Sequence, residues 1–268
     1  MNFLINISQI AIITGDNPYK SKREYLIEYW EKYDKNDYLK FKNKTNFIKE
    51  TDNDVINNIS SKNNINIKEE LNKCSNSNNI NDFQNNKKEL LNKIELLPEN
   101  EKKEITKSIN NVTNTNFGTN NENDIFKIYE NMSGLQFIKD NIYRKYRIID
   151  TIDICVFIGG KIDGINKEKD TIIEIKNRVN KLFYSLREYE KVQIMCYMHI
   201  FNIKKSHLVE AFKKKFNAEI NIIEVKYDES YMNNIICKIY NFCLFFKNFM
   251  TDNELKIKIL NSTNEINF

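Results

Sequence analysis

Apolar side chains recur along this chain with two different periods, and the change from one to the other divides it. Residues 7–15 set Ile10, Ile12 and Ile13 between Ser8, which can cap a helix, and Gly15, which can close one. Asp16-Asn17-Pro18-Tyr19 reads as a turn. Ser21 then caps a second helix that sets Tyr25, Leu26, Tyr29, Trp30 and Tyr33 at helical spacing, as a core face. From 52 to 86 the pattern fades into Asn-rich polarity with Ile as the only frequent apolar residue, which predicts a flexible insertion with at most one fragmentary helix. Helices are expected over 87–97 and 99–112, on either side of Pro98, and over 120–131 with Ile125, Phe126, Ile128 and Tyr129, ending near Gly134.

After Gly134 the period shortens. Residues 137–149, 153–165 and 171–178 alternate or run apolar with many β-branched side chains, so they read as strands. Residues 166–170 make the hairpin turn between the last two. A helix over 188–202, strands near 207–212 and 219–227, and a final helix over 231–250 follow, with a poorly ordered tail from 251. The layout predicts an α/β fold with helices packed on a central mixed sheet. It divides into an N-terminal helical part (1–50), an Asn/Lys-rich insertion, partly helical or disordered (51–115), a core (116–250) and a tail (251–268).

Composition narrows the class. The 268 residues are 41% hydrophobic and 29% charged, enough for a substantial core, and only 6 Gly and 2 Pro argue against a turn-dense all-β architecture. No run of about 18 uncharged apolar residues exists, so no membrane span is expected. Met1 to Ile13 lacks the basic start and cleavage site of a signal peptide. Five cysteines without a CxxC pair read as reduced, buried thiols of an intracellular, non-secreted protein. A net charge of +4 neither demands nor forbids a nucleic-acid partner.

Candidate chemistry gathers on the hairpin. Residues two apart in a strand face the same way, so Glu174 and Lys176 project together while Ile173 and Ile175 enter the core. With the turn centred near Glu168, Asp163 lies opposite Glu174. Two carboxylates about 4 Å apart repel by about 4 kcal/mol at an effective dielectric near 20. One lysine offsets part of that, and a hard divalent cation, Mg²⁺ or Mn²⁺ rather than zinc, offsets the rest. Each piece alone has an ordinary structural reading: alternating charge on an exposed strand, an Asp-Gly turn. In the following helix Gln193 and Tyr197 are four apart on one face, and a buried Gln needs partners, in a polar site or in a neighbouring loop.

Asp163, then Glu174-x-Lys176, then Gln193-x-x-x-Tyr197 resembles the PD-(D/E)XK nuclease superfamily, in its branch of YqaJ-like viral recombinases and phage lambda-type exonucleases. The stretch from Ile7 to Ser21, a Ser-led helix followed by Gly15-Asp16-Asn17-Pro18-Tyr19-Lys20, is similar to that family's opening pattern. Gly118-Thr119-Asn120-Asn121-Glu122, with Tyr129-Glu130 and Ser133-Gly134, is similar to its G-T-x-x-E…Y-E…G segment. The four blocks keep their order over about residues 7–33 and 116–230.

The resemblance implies a restriction-endonuclease-like core and a DNA exonuclease acting on duplex ends in viral-type recombination, repair or genome processing. Asp163, Glu174 and the carbonyl of Ile175 would hold a metal, and Glu122 a second metal or its water shell. Lys176 would serve the attacking water. Gln193 and Tyr197 would steady the site and the scissile phosphate, and Ser8 would help hold a terminal 5′ phosphate. Lys161 stands where the family usually has a serine and can meet a phosphate as a cation. No iron–sulfur cluster is expected, since Cys237 and Cys243 do not make the three-cysteine pattern. Lys20, Lys22, Arg23, Lys161 and Arg178 would track the DNA backbone, or else lie solvated on the surface. The family's associations extend to a single-strand annealing protein and a ring-like homo-trimer, and to a viral protein in host cytoplasm or nucleus. A nicking endonuclease on the same core, and a non-catalytic DNA-binding subunit, are the alternatives.

Overall fold

The computed structural model describes residues 1–48, 50–139, 142–168, 170–215, 217–262 and 264–268. The chain opens with a strand, β1 (Asn2–Asn6), whose alternation puts Phe3 and Ile5 inward, and it runs without a turn into α1 (Ile7–Thr14). Sequence periodicity predicted only the helix, because a strand that passes straight into a helix leaves no turn residue to mark the change. Asn6 occupies the N-cap without a side-chain capping bond, and Ser8 lies exposed inside the first turn, so the expected Ser8 cap is not formed. Gly15 closes the helix at φ 83°, as the sequence predicts.

Ser21 and Glu24 form a reciprocal capping box at the start of α2 (Lys22–Tyr33). Tyr25, Leu26, Tyr29 and Trp30 are buried, while Tyr33 is 41% exposed. A short helix that the sequence analysis did not anticipate, α3 (Lys35–Lys42), follows on an Asp34 cap.

The Asn-rich stretch corrects an expectation. It forms α4 (Asp52–Lys62), α5 (Lys68–Ser75) and α6 (Ile80–Lys93) and packs on α7 (Glu99–Ser133), where the sequence suggested at most one fragmentary helix. Ile56, Ile59, Ile67, Cys74, Ile80, Phe83, Leu90 and Ile94 bury themselves against Ile105, Ile109 and Phe117 of α7. Asparagine, a weak helix former in the interior, is used here at ends and seams. Asn79 caps α6, Asn63 donates to the Ile59 carbonyl at 2.9 Å, and Asn116 and Asn120 reach Ser75. α7 runs unbroken for 35 residues, joining the two helices expected over 99–112 and 120–131, and Gly134 ends it at φ 68°.

The remaining strands are β2 (Phe137–Ile138), β3 (Arg144–Asp150), β4 (Cys155–Gly160), β5 (Gly164–Asn166), β6 (Thr171–Asn177), β7 (Lys205–Lys213) and β8 (Ala218–Lys226), with α8 (Glu188–Phe201) between β6 and β7. Among the described residues they form two mixed sheets flanked by helices, ordered β1-β4-β3 and β2-β5-β6-β7-β8. β4 is parallel to β1 and antiparallel to β3, and β6 is antiparallel to β5 and parallel to β7. The chain crosses from one sheet to the other at Lys161-Ile162-Asp163. The two faces of β6 go to different cores. Ile173 and Ile175 pack with Ile125 and Tyr129 of α7, and Ile172 joins the main core with Val192 and Met195 of α8. Glu174 and Lys176 share the α8 face with Ile172.

The long α9 (Glu229–Thr251) sends Phe242, Phe246 and Phe249 into the aromatic face of α2, with Trp30 and Phe249 centroids 5.0 Å apart. The tail expected to be poorly ordered forms α10 (Asn253–Asn261), held by buried Ile259 and Leu260 and by the buried Lys256 amine on Asp37 at 2.8 Å. All five thiols are free; Cys237 is exposed and Cys155 half-buried, against the expectation of uniform burial. Among the described residues no helix is long and apolar enough to cross a membrane.

Candidate active site

β5 and β6 pair with Gly164 opposite Ile173 and Ile165 opposite Ile172, the register that sets Asp163 across from Glu174. The ladder stops there, and a side chain continues it: Asp163 Oδ2 accepts the Ile175 N–H at 2.7 Å. That bond orients the Asp163 carboxylate along β6.

Glu174, 3% exposed, is the centre of the cluster. Its Oε1 accepts from the Lys176 ammonium at 2.7 Å and from Gln193 Nε2 at 2.9 Å. Gln193 also donates to the Tyr197 hydroxyl at 3.4 Å. The helical i, i+4 spacing of Gln193 and Tyr197 therefore places both over β6, and the Gln finds its partner in the site rather than in a loop. Glu174 Oε2 is buried and meets no donor among the described residues.

Electrostatics describe a site with too many acids for its cations. Burial, then the Asp163 charge, pushes Glu174 up to about 8 against the pull of Lys176. Burial, with Asp163 next, pushes Glu122 up to about 7, which places the α7 carboxylate within electrostatic reach of the hairpin. Asp163 is also raised, by burial above all. Burial works against the Lys176 charge, but Glu174 and Asp163 outweigh it, and its pKa rises. Lys176 is thus a fixed cation.

The donors suit a hard cation. Among the described residues no group of three or more His, Cys, Asp or Glu side chains is placed to hold a metal ion. Asp163 and the unpartnered Glu174 oxygen are oxygen donors of the kind a hard cation prefers, and Glu122 feels the Asp163 charge.

Gly160, at the end of β4, admits the site's second wall. A Cβ there would stand 2.8 Å from Tyr197 Cε1, 3.2 Å from its hydroxyl and 3.4 Å from Ile7 Cβ. The first turn of α1 therefore adjoins Tyr197, with Ser8 next in the chain. Because Tyr197 is only 4% exposed, its ring has little room to yield. Gly160→Ala is expected to lower stability by about 1–3 kcal/mol, read by urea unfolding. An unchanged midpoint would show that Tyr197 is not wedged there.

Other assignments are altered. Lys161 lies exposed between the sheets. Lys20 is paired with Glu28, and Arg23 donates to the Ile259 and Leu260 carbonyls at 2.8 and 3.1 Å, which spends it on the end of α10. Lys22 is half-buried with its amine 4.7 Å from the Phe268 ring centroid. Arg178 departs furthest from a role on a solvated DNA-tracking face. It is 9% exposed, grips Glu190 with two bonds of 2.8 and 3.1 Å, and donates to Glu210 at 2.9 Å. Sequence reading missed these two carboxylates. Glu190 was within reach, since it precedes Gln193 by three and Tyr197 by seven on one helical face. Glu210, on a strand 32 residues beyond Arg178, carried no local signal.

No family model and no curated protein matches the chain. Among solved structures it is similar to a phage-related exonuclease from Haemophilus somnus, at 13% identity and TM-score 0.40 over 52% of this chain and 72% of that one. It is also similar to an alkaline exonuclease from Laribacter hongkongensis, at 12% identity and TM-score 0.40 over 63% of this chain and 82% of that one. The same enzyme in complex with dAMP aligns at 11% identity and TM-score 0.41, over 68% and 87% of the two chains.

Proposed function

We propose that the chain is a divalent-metal-dependent DNA exonuclease of the PD-(D/E)XK type, hydrolysing phosphodiesters at duplex ends in recombination, repair or genome processing. The observation that carries this reading is the buried Glu174 carboxylate, one oxygen shared by Lys176 and Gln193, the other unpartnered, beside Asp163.

Asp163, Glu174 and the Ile175 carbonyl would hold a Mg²⁺ or Mn²⁺ ion, with Glu122 for a second ion or its waters. When bound, such an ion lowers the pKa of a coordinated water and neutralises charge on the phosphate. The protein's own groups do the rest. Lys176 stays protonated beside Glu174, so its N–H bonds orient the attacking water and meet negative charge as it develops. Gln193 keeps the Glu174 carboxylate in place from above. The exposed Ser8 and the N-terminal turn of α1 would supply an anion-binding edge for a terminal phosphate, and Lys161 a cation at the sheet crossing.

Digestion of linear and covalently closed circular duplex DNA, with Mg²⁺ or with chelator, tests the proposal beside an Asp163→Ala control. The expected result is Mg²⁺-dependent loss of the linear DNA, an intact circle, and a control at least ~10³-fold slower. Nicked circles would make the enzyme an endonuclease. Metal-independent or absent hydrolysis would remove the catalytic reading.

A further inference from the structure

The loop from Arg178 to Arg187 holds one side chain in a conformation its type avoids. Tyr184 has φ 55°, while the other non-glycine residues with positive φ among those described are Asn64 and Asn202, of the type that tolerates this region. A bulky aromatic stays in the left-handed region only when its surroundings over-determine it. Here they do. The buried Glu210 carboxylate accepts the Tyr184 N–H at 3.0 Å and the Phe183 N–H at 3.3 Å, and Asn221 donates to it at 2.9 Å. Arg178 ties Glu210 to Glu190. The Phe183 ring lies under two guanidiniums, those of Arg178 and Arg187, each 4.3 Å from its centroid. Leu182 is buried beneath.

What this scaffold displays is the Tyr184 ring, 68% exposed, between exposed Lys181 and Arg187. Its position is set relative to the site, because Glu210 is the ladder partner of Lys176 across the parallel β6–β7 pair, one strand spacing of about 4.8 Å away. A strained backbone, a framework of buried charge and an outward aromatic with cationic residues three before and three after it in the chain have the makings of a stacking platform.

We propose that Tyr184 stacks on a nucleobase at the DNA end and so sets the terminal nucleotide against the Glu174–Lys176 centre. The proposal rests on the nuclease reading and names a residue that the catalytic constellation does not include. Stacking on a base needs a π-face and no sequence, so it suits an enzyme that degrades any end.

The test uses the full chain and duplexes with 2-aminopurine or an abasic site at the terminal nucleotide. Binding is followed by fluorescence in chelator and digestion in Mg²⁺. The parent is expected to quench terminal 2-aminopurine. Tyr184→Ala should weaken binding and raise KM about ten-fold, the share of one stacked base, and Tyr184→Trp should restore both. On abasic ends the parent and Tyr184→Ala should be equal. Tyr184→Gly, freed of the left-handed strain, should melt no lower than the parent while binding as poorly as Tyr184→Ala. Equal quenching by parent and Tyr184→Ala, or an undiminished gap on abasic ends, overturns the stacking role while leaving a nuclease. A Tyr184→Gly protein that melts well below the parent makes the ring a structural strut. A parent that neither binds nor cuts DNA overturns the nuclease reading and this proposal with it.

Discussion

Glu174→Gln is expected to slow DNA hydrolysis at least ~10³-fold, the several kcal/mol that a misplaced metal withdraws from the transition state, and to flatten the protein's pH–stability profile. Gln keeps the shape and can still accept from Lys176 and Gln193, but it loses the charge that the proposed metal would need from the second oxygen. The stability effect follows from the raised carboxylate. In the fold, burial and the Asp163 charge push Glu174 up to about 8, whereas an unfolded glutamate keeps its ordinary value of 4.5. Between these values the folded state holds a proton that the unfolded state releases. Its contribution to stability is complete below about pH 4.5 and is lost as pH rises through 8. The parent's melting temperature should therefore fall across pH 5–8 more steeply than the variant's, by on the order of 10 °C. Added Mg²⁺ should raise the parent's melting temperature most at pH 8, where the ligands are charged, and leave the variant nearly unmoved. Parallel profiles for parent and variant would mean that Glu174 is already ionised in the fold, and the crowded-acid account of the site would fail.

Arg178→Ala should be the most destabilising single change in the core sheet. The guanidinium is the shared partner of Glu190 and Glu210, both with fully buried side chains, and its removal leaves those carboxylates facing each other's charge. Breaking a buried pair from one side costs about 3–5 kcal/mol, a fall of roughly 10 °C in melting temperature. Glu210 sits below the usual carboxylate range in the parent; burial opposes this, but Asn221 and Arg178 prevail. Without the arginine the buried Glu210 loses the cation that favours its charge, so the deficit should shrink at pH 5 and widen at pH 8. Arg178→Lys, a cation without the fork, should fall between. A variant as stable as the parent would return Arg178 to the solvated surface that its sequence context suggested.

That reversal shows where local reading stops. Arg178 follows Asn177 at the end of a strand and opens a loop with further basic residues, Lys181 and Arg187, a context shared with many exposed arginines. Its two partners lie 12 and 32 residues away on different elements. The Asn-rich stretch misleads in the opposite direction. Its isoleucines are sparse enough to read as disorder, yet they need only α7 beside them to close a core, and the number of buried partners decides whether such a segment orders. The unbroken α7 has the same cause: Gly118 weakens the helix locally, and burial of Phe117 and Ile125 on either side carries it through.

The sequence by itself determined the β5–β6 register, the common face of Glu174 and Lys176, and the stacking of Gln193 over Tyr197, because a two-residue period, a short turn and a helical turn are local geometry. Only the tertiary structure decided that Glu122 comes within reach of Asp163, that α1 abuts Tyr197, and that three buried charges hold Tyr184 outward. These depend on which surfaces meet once the apolar faces are buried, and that is settled by the whole chain at once.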